Sequence, residues 1–127
     1  MQTNFYDRDG KPTAYTEDGI HIYLFTGEAV AYLDGDSVFT YPGIHLGWFE
    51  DNWIRDHTGN CVFFTDETSG GGPVRPTRGA KPLKSVKSER PAKGIKQVRP
   101  AKAGKSLFWS KLSGALFLAR SRTAETS

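Results

Sequence analysis

The sequence predicts an all-β fold: four β-hairpin repeats closed around a pseudo-four-fold axis, followed by an extended basic, proline-rich arm and a short C-terminal amphipathic segment. Three observations carry that expectation. Glycines recur at positions 10, 27, 43 and 59, each between two β-type runs, and thirteen of the sixteen aromatic residues lie in the same first half of the chain. From Arg75 onward a basic residue stands at every third position. The boundary between the two halves falls at Ser69-Gly70-Gly71-Gly72-Pro73, where a glycine run meets a stretch rich in Pro, Lys and Arg. The expected organisation is a four-repeat β domain over residues 1–69, the arm over 70–106, and the amphipathic segment and tail over 107–127.

Each repeat is read from its glycine outward, because internal periodicity precedes any motif. Five residues upstream stand Phe5, Ile22, Val38 and Ile54; four upstream stand Tyr6, Tyr23, Phe39 and Arg55. Three and five residues downstream stand Thr13/Tyr15, Val30/Tyr32, Leu46/Trp48 and Val62/Phe64, a period-two pair expected on one face of a strand. Between them sits a small residue, Ala14, Ala31 or Gly47, except in the fourth repeat, which has Phe63. At Pro42-Gly43 the proline fixes φ near −65°, which excludes a type I′ turn and leaves a type II turn or a type I turn with a glycine bulge. A lone hairpin is marginal in water, so the four must bury their faces against one another, and closure around an axis does this most economically.

The connections between repeats read Glu17-Asp18-Gly19, Asp34-Gly35-Asp36, Glu50-Asp51-Asn52 and Asp66-Glu67. Closure would gather these eight acids, Glu17, Asp18, Asp34, Asp36, Glu50, Asp51, Asp66 and Glu67, at one end of the domain. Acidic residues suit exposed turns in any case; the sharper reading is a carboxylate rim that attracts a cation or a basic segment. Their spacing matches no calcium loop, so no metal site is assigned.

Two blocks, Ile22-Tyr-Leu-Phe-Thr-Gly-Glu-Ala-Val-Ala-Tyr32 and His45-Leu-Gly-Trp-Phe-Glu-Asp-Asn-Trp-Ile-Arg-Asp-His-Thr-Gly-Asn-Cys-Val-Phe-Phe64, resemble the four-fold beta-flower family, as does the Gly-Gly-Pro-Val-Arg-Pro entry to the basic arm. The family consists of small bacterial proteins named for four hairpin petals around an axis. The resemblance extends to about Trp109. It implies the fold and transfers no catalytic residues.

The arm repeats every three residues. Arg75, Arg78, Lys81, Lys84, Lys87, Arg90, Lys93, Lys96, Arg99, Lys102 and Lys105 are in strict phase, mostly preceded by a small or apolar residue, and prolines at 73, 82, 91 and 100 add a nine-residue super-period. An α-helix would scatter these cations and be broken by the prolines, whereas polyproline II, with three residues per turn, aligns all eleven along one edge at about 9 Å intervals. Three readings stay open: a solvated tail, a comb for an external polyanion such as nucleic acid or an anionic membrane surface, and docking on the acidic domain of the same or a neighbouring chain. The last is motivated by charge. Residues 1–69 hold three basic and twelve acidic side chains, net −9, and residues 70–127 hold fourteen and two, net +12.

Further along, Phe108, Leu112, Leu116 and Ala119 share one face of an expected short helix, with Lys111, Arg120 and Arg122 nearby. No apolar run is long enough to span a bilayer, and the start lacks a secretory pattern. A single Cys in 127 residues builds neither a disulfide nor a structural zinc site, so a cytoplasmic protein stabilised by packing is expected. His45, His57, Cys61, Asp51 and Asp56 are close enough in sequence to suggest Cys/His chemistry. However, His57 stands where other repeats have Phe25 and Tyr41, which assigns it a packing slot, and buried cysteines act chiefly as small hydrophobes. The expectation is a non-catalytic binding module without cofactor whose arm engages a polyanion. The alternative is a structural or self-associating protein in which the arm docks on the acidic rim.

Overall fold

A computed structural model describes residues 2–119. Eight strands follow in order: β1 (Thr3–Tyr6), β2 (Pro12–Thr16), β3 (His21–Leu24), β4 (Ala29–Asp34), β5 (Ser37–Phe39), β6 (His45–Glu50), β7 (Trp53–Arg55) and β8 (Cys61–Thr65). Each pairs antiparallel with the next, and β8 returns to β1, so the four hairpins close into a barrel as the glycine periodicity predicts. Alternating up and down, the chain places the Gly10, Gly27, Gly43 and Gly59 turns at one end and the acidic connections at the other.

The hairpin turns share one construction. In the third, Gly43 N–H donates to the Thr40 carbonyl at 3.0 Å, Thr40 N–H donates to the Ile44 carbonyl at 2.9 Å, and Gly43 has φ 110°. This is a type I turn closed by a left-handed glycine, one of the two forms compatible with Pro42. The same pair of bonds recurs at Asp7/Gly10/Lys11, Leu24/Gly27/Glu28 and Asp56/Gly59/Asn60.

The period-two reading of the second strands needs correction. The ladder pairs Ile22 with Ala31 but Tyr23 with Ala29, skipping Val30, and it skips Thr13, Leu46 and Val62 in the same way. Four equivalent β-bulges interrupt the alternation, a device that sharpens bending at barrel rims. Val30, Leu46 and Val62 therefore join the inner core with Phe5, Ala14, Ile22, Ala31, Val38, Ile54 and Phe63, while Tyr32 sits in a different cluster. An eight-stranded barrel is narrow enough for side chains to fill it.

A second, outer layer consists of Tyr15, Tyr23, Phe25, Tyr32, Phe39 and Tyr41 on one side and Tyr6, Trp53, Cys61 and Phe64 on the other. An aromatic outer face is unusual for a sheet in water, yet all of these residues are buried. Something must cover them, and the arm does so.

The expected C-terminal amphipathic helix is shorter and faces differently. Residues 106–110 run alongside β8, with Cys61 N–H donating to Phe108 O and Ser110 N–H to Cys61 O, so Phe108 cannot share a helix with Leu112 and Leu116. Helix α1 (Gly114–Ala119) is capped by Ser113, whose Oγ accepts from Leu116 N–H. Phe117 and Leu118 enter the inner core, whereas Phe108, Leu112 and Leu116 of the expected face are exposed or nearly so. Arg120 and Arg122 lie outside the described residues. Replacing Phe117, which meets Phe63 edge-on at 6.1 Å, by Ala should cost about 3–5 kcal/mol in urea denaturation. Leu116→Ala on the exposed face should change stability by less than about 0.5 kcal/mol.

Candidate functional site

Residues 73–105 contain neither helix nor strand, yet their contacts with the barrel repeat with the phase of the sequence. Six N–H groups, all from the first residue of a triplet, donate to the barrel. Ser85 reaches Phe25 O and Ser88 reaches Gly27 O; Gly94 reaches Tyr41 O and Gln97 reaches Gly43 O; Gly79 meets Gly10 O and Ser106 meets Gly59 O. Gly79, Ser88, Gln97 and Ser106 are nine residues apart and address the four turn glycines in order. Pro82, Pro91 and Pro100, which have no N–H to offer, stand at the steps from one hairpin to the next. The nine-residue super-period is therefore one hairpin's share of a belt.

The belt also explains why the turns require glycine beyond their φ. A Cβ on Gly27 would overlap the Val86 carbonyl, and one on Gly43 would overlap the Ile95 carbonyl; Thr77 and Gly104 stand in the same relation to Gly10 and Gly59. Thr77, Val86, Ile95 and Gly104 are again nine apart.

The basic third residue of each triplet turns to the barrel. Arg78 lies over Tyr6, Lys84 over Tyr15, Lys87 over Tyr23, Lys93 over Tyr32, and Lys96 and Arg99 over Phe39, at 4.3–5.9 Å from the ring centres. Their aliphatic stems roof the outer aromatic layer. The heads continue to the acidic end: Lys84 and Lys87 to Glu17, Lys96 and Arg99 to Asp34, Lys102 to Asp36 and Glu50, Lys105 to Asp51, and Arg78 to Asp66. Hydrogen bonds from these lysines hold Glu17, Asp34, Asp36 and Asp51 below the usual carboxylate range. Of the remaining cations, Arg90 reaches His21, which is paired with Asp18, and Lys81 acts electrostatically on Asp66. Arg75 donates to the Thr68 and Ser69 carbonyls. Seven of the eight rim acids thus face a basic side chain; Glu67 stands exposed.

Arg55 fastens the belt. Buried within the barrel wall, it donates through one terminal nitrogen to Gly59 O and Ser106 O, both at 2.7 Å, and through the other to Gly71 O at 2.6 Å. It holds the beginning and the end of the belt together. Sequence reasoning assigned Arg55 no role, although the signal was present: it occupies the column that holds Tyr6, Tyr23 and Phe39 in the other repeats.

The residues suggestive of chemistry are divided between two places. Cys61 is enclosed by Tyr6, Trp53, Phe64 and Trp109, and burial pushes its thiol up to about 11. His57 is exposed rather than filling a core slot, and stacks on buried His45, with Nε2 2.9 Å from His45 Nδ1. On its other side His45 Nε2 lies 3.1 Å from Ser37 Oγ, which accepts from Arg99 Nε at 2.8 Å. Asp56 accepts from Thr58, Asn60 and Ser110 and so shapes the turn, and Asp51 is the acid held by Lys105. Trp48 and Trp53 are both buried.

Two predictions follow from this geometry. Gly43→Ala should cost about 2–4 kcal/mol, because left-handed strain is compounded by overlap with the belt; Gly35→Ala, at φ 63° with open space around it, should cost only about 1–2 kcal/mol. Equal losses in denaturant titrations of the two variants would show that the belt contributes nothing. For His45, burial, then His57 and Arg99, lower the pKa to about 4, so the folded state favours the neutral ring. Its contribution is intact above about pH 6.5 and is lost as pH falls toward 4, by about 3 kcal/mol. The stability slope in that window should flatten in His45→Gln.

Comparison with known families accords with this architecture. The family model described as 4-fold beta flower protein matches residues 3–118, which takes in barrel, belt and helix together. No curated protein and no solved structure matches the chain. The match covers nearly the whole chain, and the protein belongs to the four-fold beta-flower family.

Proposed function

We propose that this chain is a non-catalytic structural module whose basic arm serves its own acidic rim, as a belt that holds the four hairpins together. One observation supports this reading above the others: ten of the eleven period-three cations bond to, pair with or lie over residues of the first 69, while the belt backbone bonds to each hairpin turn. A comb for an external polyanion would leave its cations uncommitted. The belt would supply what four hairpins lack alone, a cover for the outer aromatic layer and a tie across the barrel seam. The cytoplasmic setting expected from cysteine usage goes with this proposal.

Polyanion binding is the second reading, favoured by one specific feature. The paired lysine heads retain 38–51% side-chain exposure, so phosphates could meet them without dislodging the belt. Exposed pairs of this kind are worth about 0–1 kcal/mol each, and salt weakens them further.

Trypsin tests the structural reading, since seven of the eleven belt cations, Arg78, Lys84, Lys87, Lys93, Lys96, Lys102 and Lys105, are not followed by proline and are cleavage sites. Under native conditions residues 73–105 should survive protease levels at least about 100-fold above those that digest a free peptide of the same sequence. Cleavage throughout the belt would overturn the structural reading. Retention on duplex DNA at low salt, with a steep inverse dependence on salt concentration, would establish the polyanion reading.

A further inference from the structure

One barrel position beneath the belt differs chemically from its counterparts in the other hairpins. The residue two places after each turn glycine pairs across its hairpin with Tyr6, Tyr23, Phe39 or Arg55, and it is Pro12, Ala29, His45 and Cys61 in turn. Of these four only the imidazole changes charge near neutral pH. His45 is 1% exposed and lies edge-on to Phe39 and Trp48, each at 5.1 Å.

The belt is tied to the barrel around this residue. His45 N–H donates to Gln97 Oε1 at 2.9 Å, Gln97 N–H donates to Gly43 O at 2.8 Å, and Arg99 Nε donates to Ser37 Oγ at 2.8 Å. The second hairpin is built alike, with Ser88 in place of Gln97: Ser88 Oγ accepts from Ala29 N–H, and Ser88 N–H donates to Gly27 O. There a methyl group stands where the third hairpin has a ring.

The hydrogen bonds of the ring run in one direction. Ser37 accepts from Arg99 and has its own proton to give to His45 Nε2 at 3.1 Å, so His45 carries its proton on Nδ1 and gives it to His57 Nε2 at 2.9 Å. A neutral ring satisfies this chain at both nitrogens. A second proton on Nε2 would face the Ser37 hydroxyl, whose hydrogen would lose its acceptor in a fully buried place. The charges around the ring oppose that proton too. Burial, then His57 on the fourth hairpin and Arg99 on the belt, lower the pKa to about 4, while Asp36, the acid that favours the charged ring, is held by Lys102. Once Gln97 and Arg99 move away, water reaches the ring and its pKa returns to about 6.5.

We propose that His45 is an acid-sensitive latch of the belt: in mild acid residues 94–99 lift from the third hairpin while the belt over the second hairpin stays seated. Lifting uncovers Phe39 and releases Lys96 and Arg99 from Asp34. The latch rests on the belt reading above. With the ring titrating near 6.5 when lifted and near 4 when closed, the lifted state becomes about 20-fold more populated between pH 7 and pH 5.

Native-state hydrogen exchange of the full chain, followed by NMR and corrected for the intrinsic pH dependence of exchange, tests this. Protection of the Gln97 N–H should fall about 20-fold from pH 7 to pH 5, and in His45→Gln it should change less than about threefold. The Ser88 N–H should behave alike in the two proteins. The wild type alone gives a second test that does not depend on the variant folding: the loss should set in near pH 6.5 and steepen to about tenfold per pH unit. A loss confined below about pH 4.5 would assign it to the rim carboxylates and overturn the latch. So would an equal loss in His45→Gln, or a loss shared by Gln97, Ser88 and the ladder amides of β6, which would mean that the barrel opens as a whole. The two levels are distinguishable. Belt amides protected at pH 7 with no dependence on pH defeat the latch alone, and belt amides unprotected at pH 7 defeat the belt.

Discussion

At the four turn glycines belt backbone and hairpin backbone approach so closely that no Cβ fits between them, and the rest of the structure is arranged around that contact. At each turn a belt carbonyl occupies the place where a Cβ would stand, and an N–H two residues further on bonds to the glycine carbonyl. Such contacts read no side chain except the missing one. The belt can therefore be simple in sequence provided that its period is kept, and the barrel can vary around its turns provided that glycine stays. Two different periods, nine residues in the belt and 16–17 in the barrel, meet at four points because both are set by one hairpin's width.

Charge is the most conspicuous feature of the sequence, yet it is not what holds the belt most strongly. Most of its ion pairs are over a third exposed, which leaves each worth little. The backbone hydrogen bonds contribute about 0.5–1.5 kcal/mol each, and cover of the outer tyrosines by lysine stems adds hydrophobic burial. The charges bear more on specificity: a belt of opposite sign is drawn to the rim, and its heads prefer the acidic end over the turn end. Stability resides chiefly in the backbone contacts and the stems, whereas orientation resides in the heads.

Much of this was legible in the sequence. The glycine spacing and the aromatic columns disclosed a closed set of hairpins, and the three-residue phase disclosed a backbone with a basic edge and an apolar edge. The bulges at Thr13, Val30, Leu46 and Val62 were not legible, because a skipped residue leaves the apolar pattern intact while moving the side chain to the other face. The C-terminal helix was misread for a different reason. Its spacing of Phe108, Leu112 and Leu116 fits a helix, but pairing of residues 106–110 with β8 is a tertiary contact that overrides it. The role of Gly10, Gly27, Gly43 and Gly59 was half legible: a turn accounts for their φ, and only the belt accounts for their lack of a Cβ.

Perfect four-fold symmetry is incompatible with a belt made from the same chain, and the departures from the repeat fall where this demands. A belt must begin and end somewhere, and both ends meet at the fourth hairpin, where Arg55 replaces an aromatic residue because a polar side chain is needed to bind carbonyls from both ends. The interior breaks symmetry beside it. Ala14, Ala31 and Gly47 occupy one layer with Phe63 as the fourth member, and Phe63 meets Phe5 and Phe117. Four small residues would leave the axis empty and four phenylalanines would overfill it, so a layer of three small and one large satisfies close packing where a symmetric choice cannot. The large member belongs on the hairpin beside which the chain returns, since only there can the C-terminal helix bring Phe117 to meet it. Both irregularities of the fourth repeat, Arg55 and Phe63, thus have the same origin: it is the hairpin at which the ring is closed.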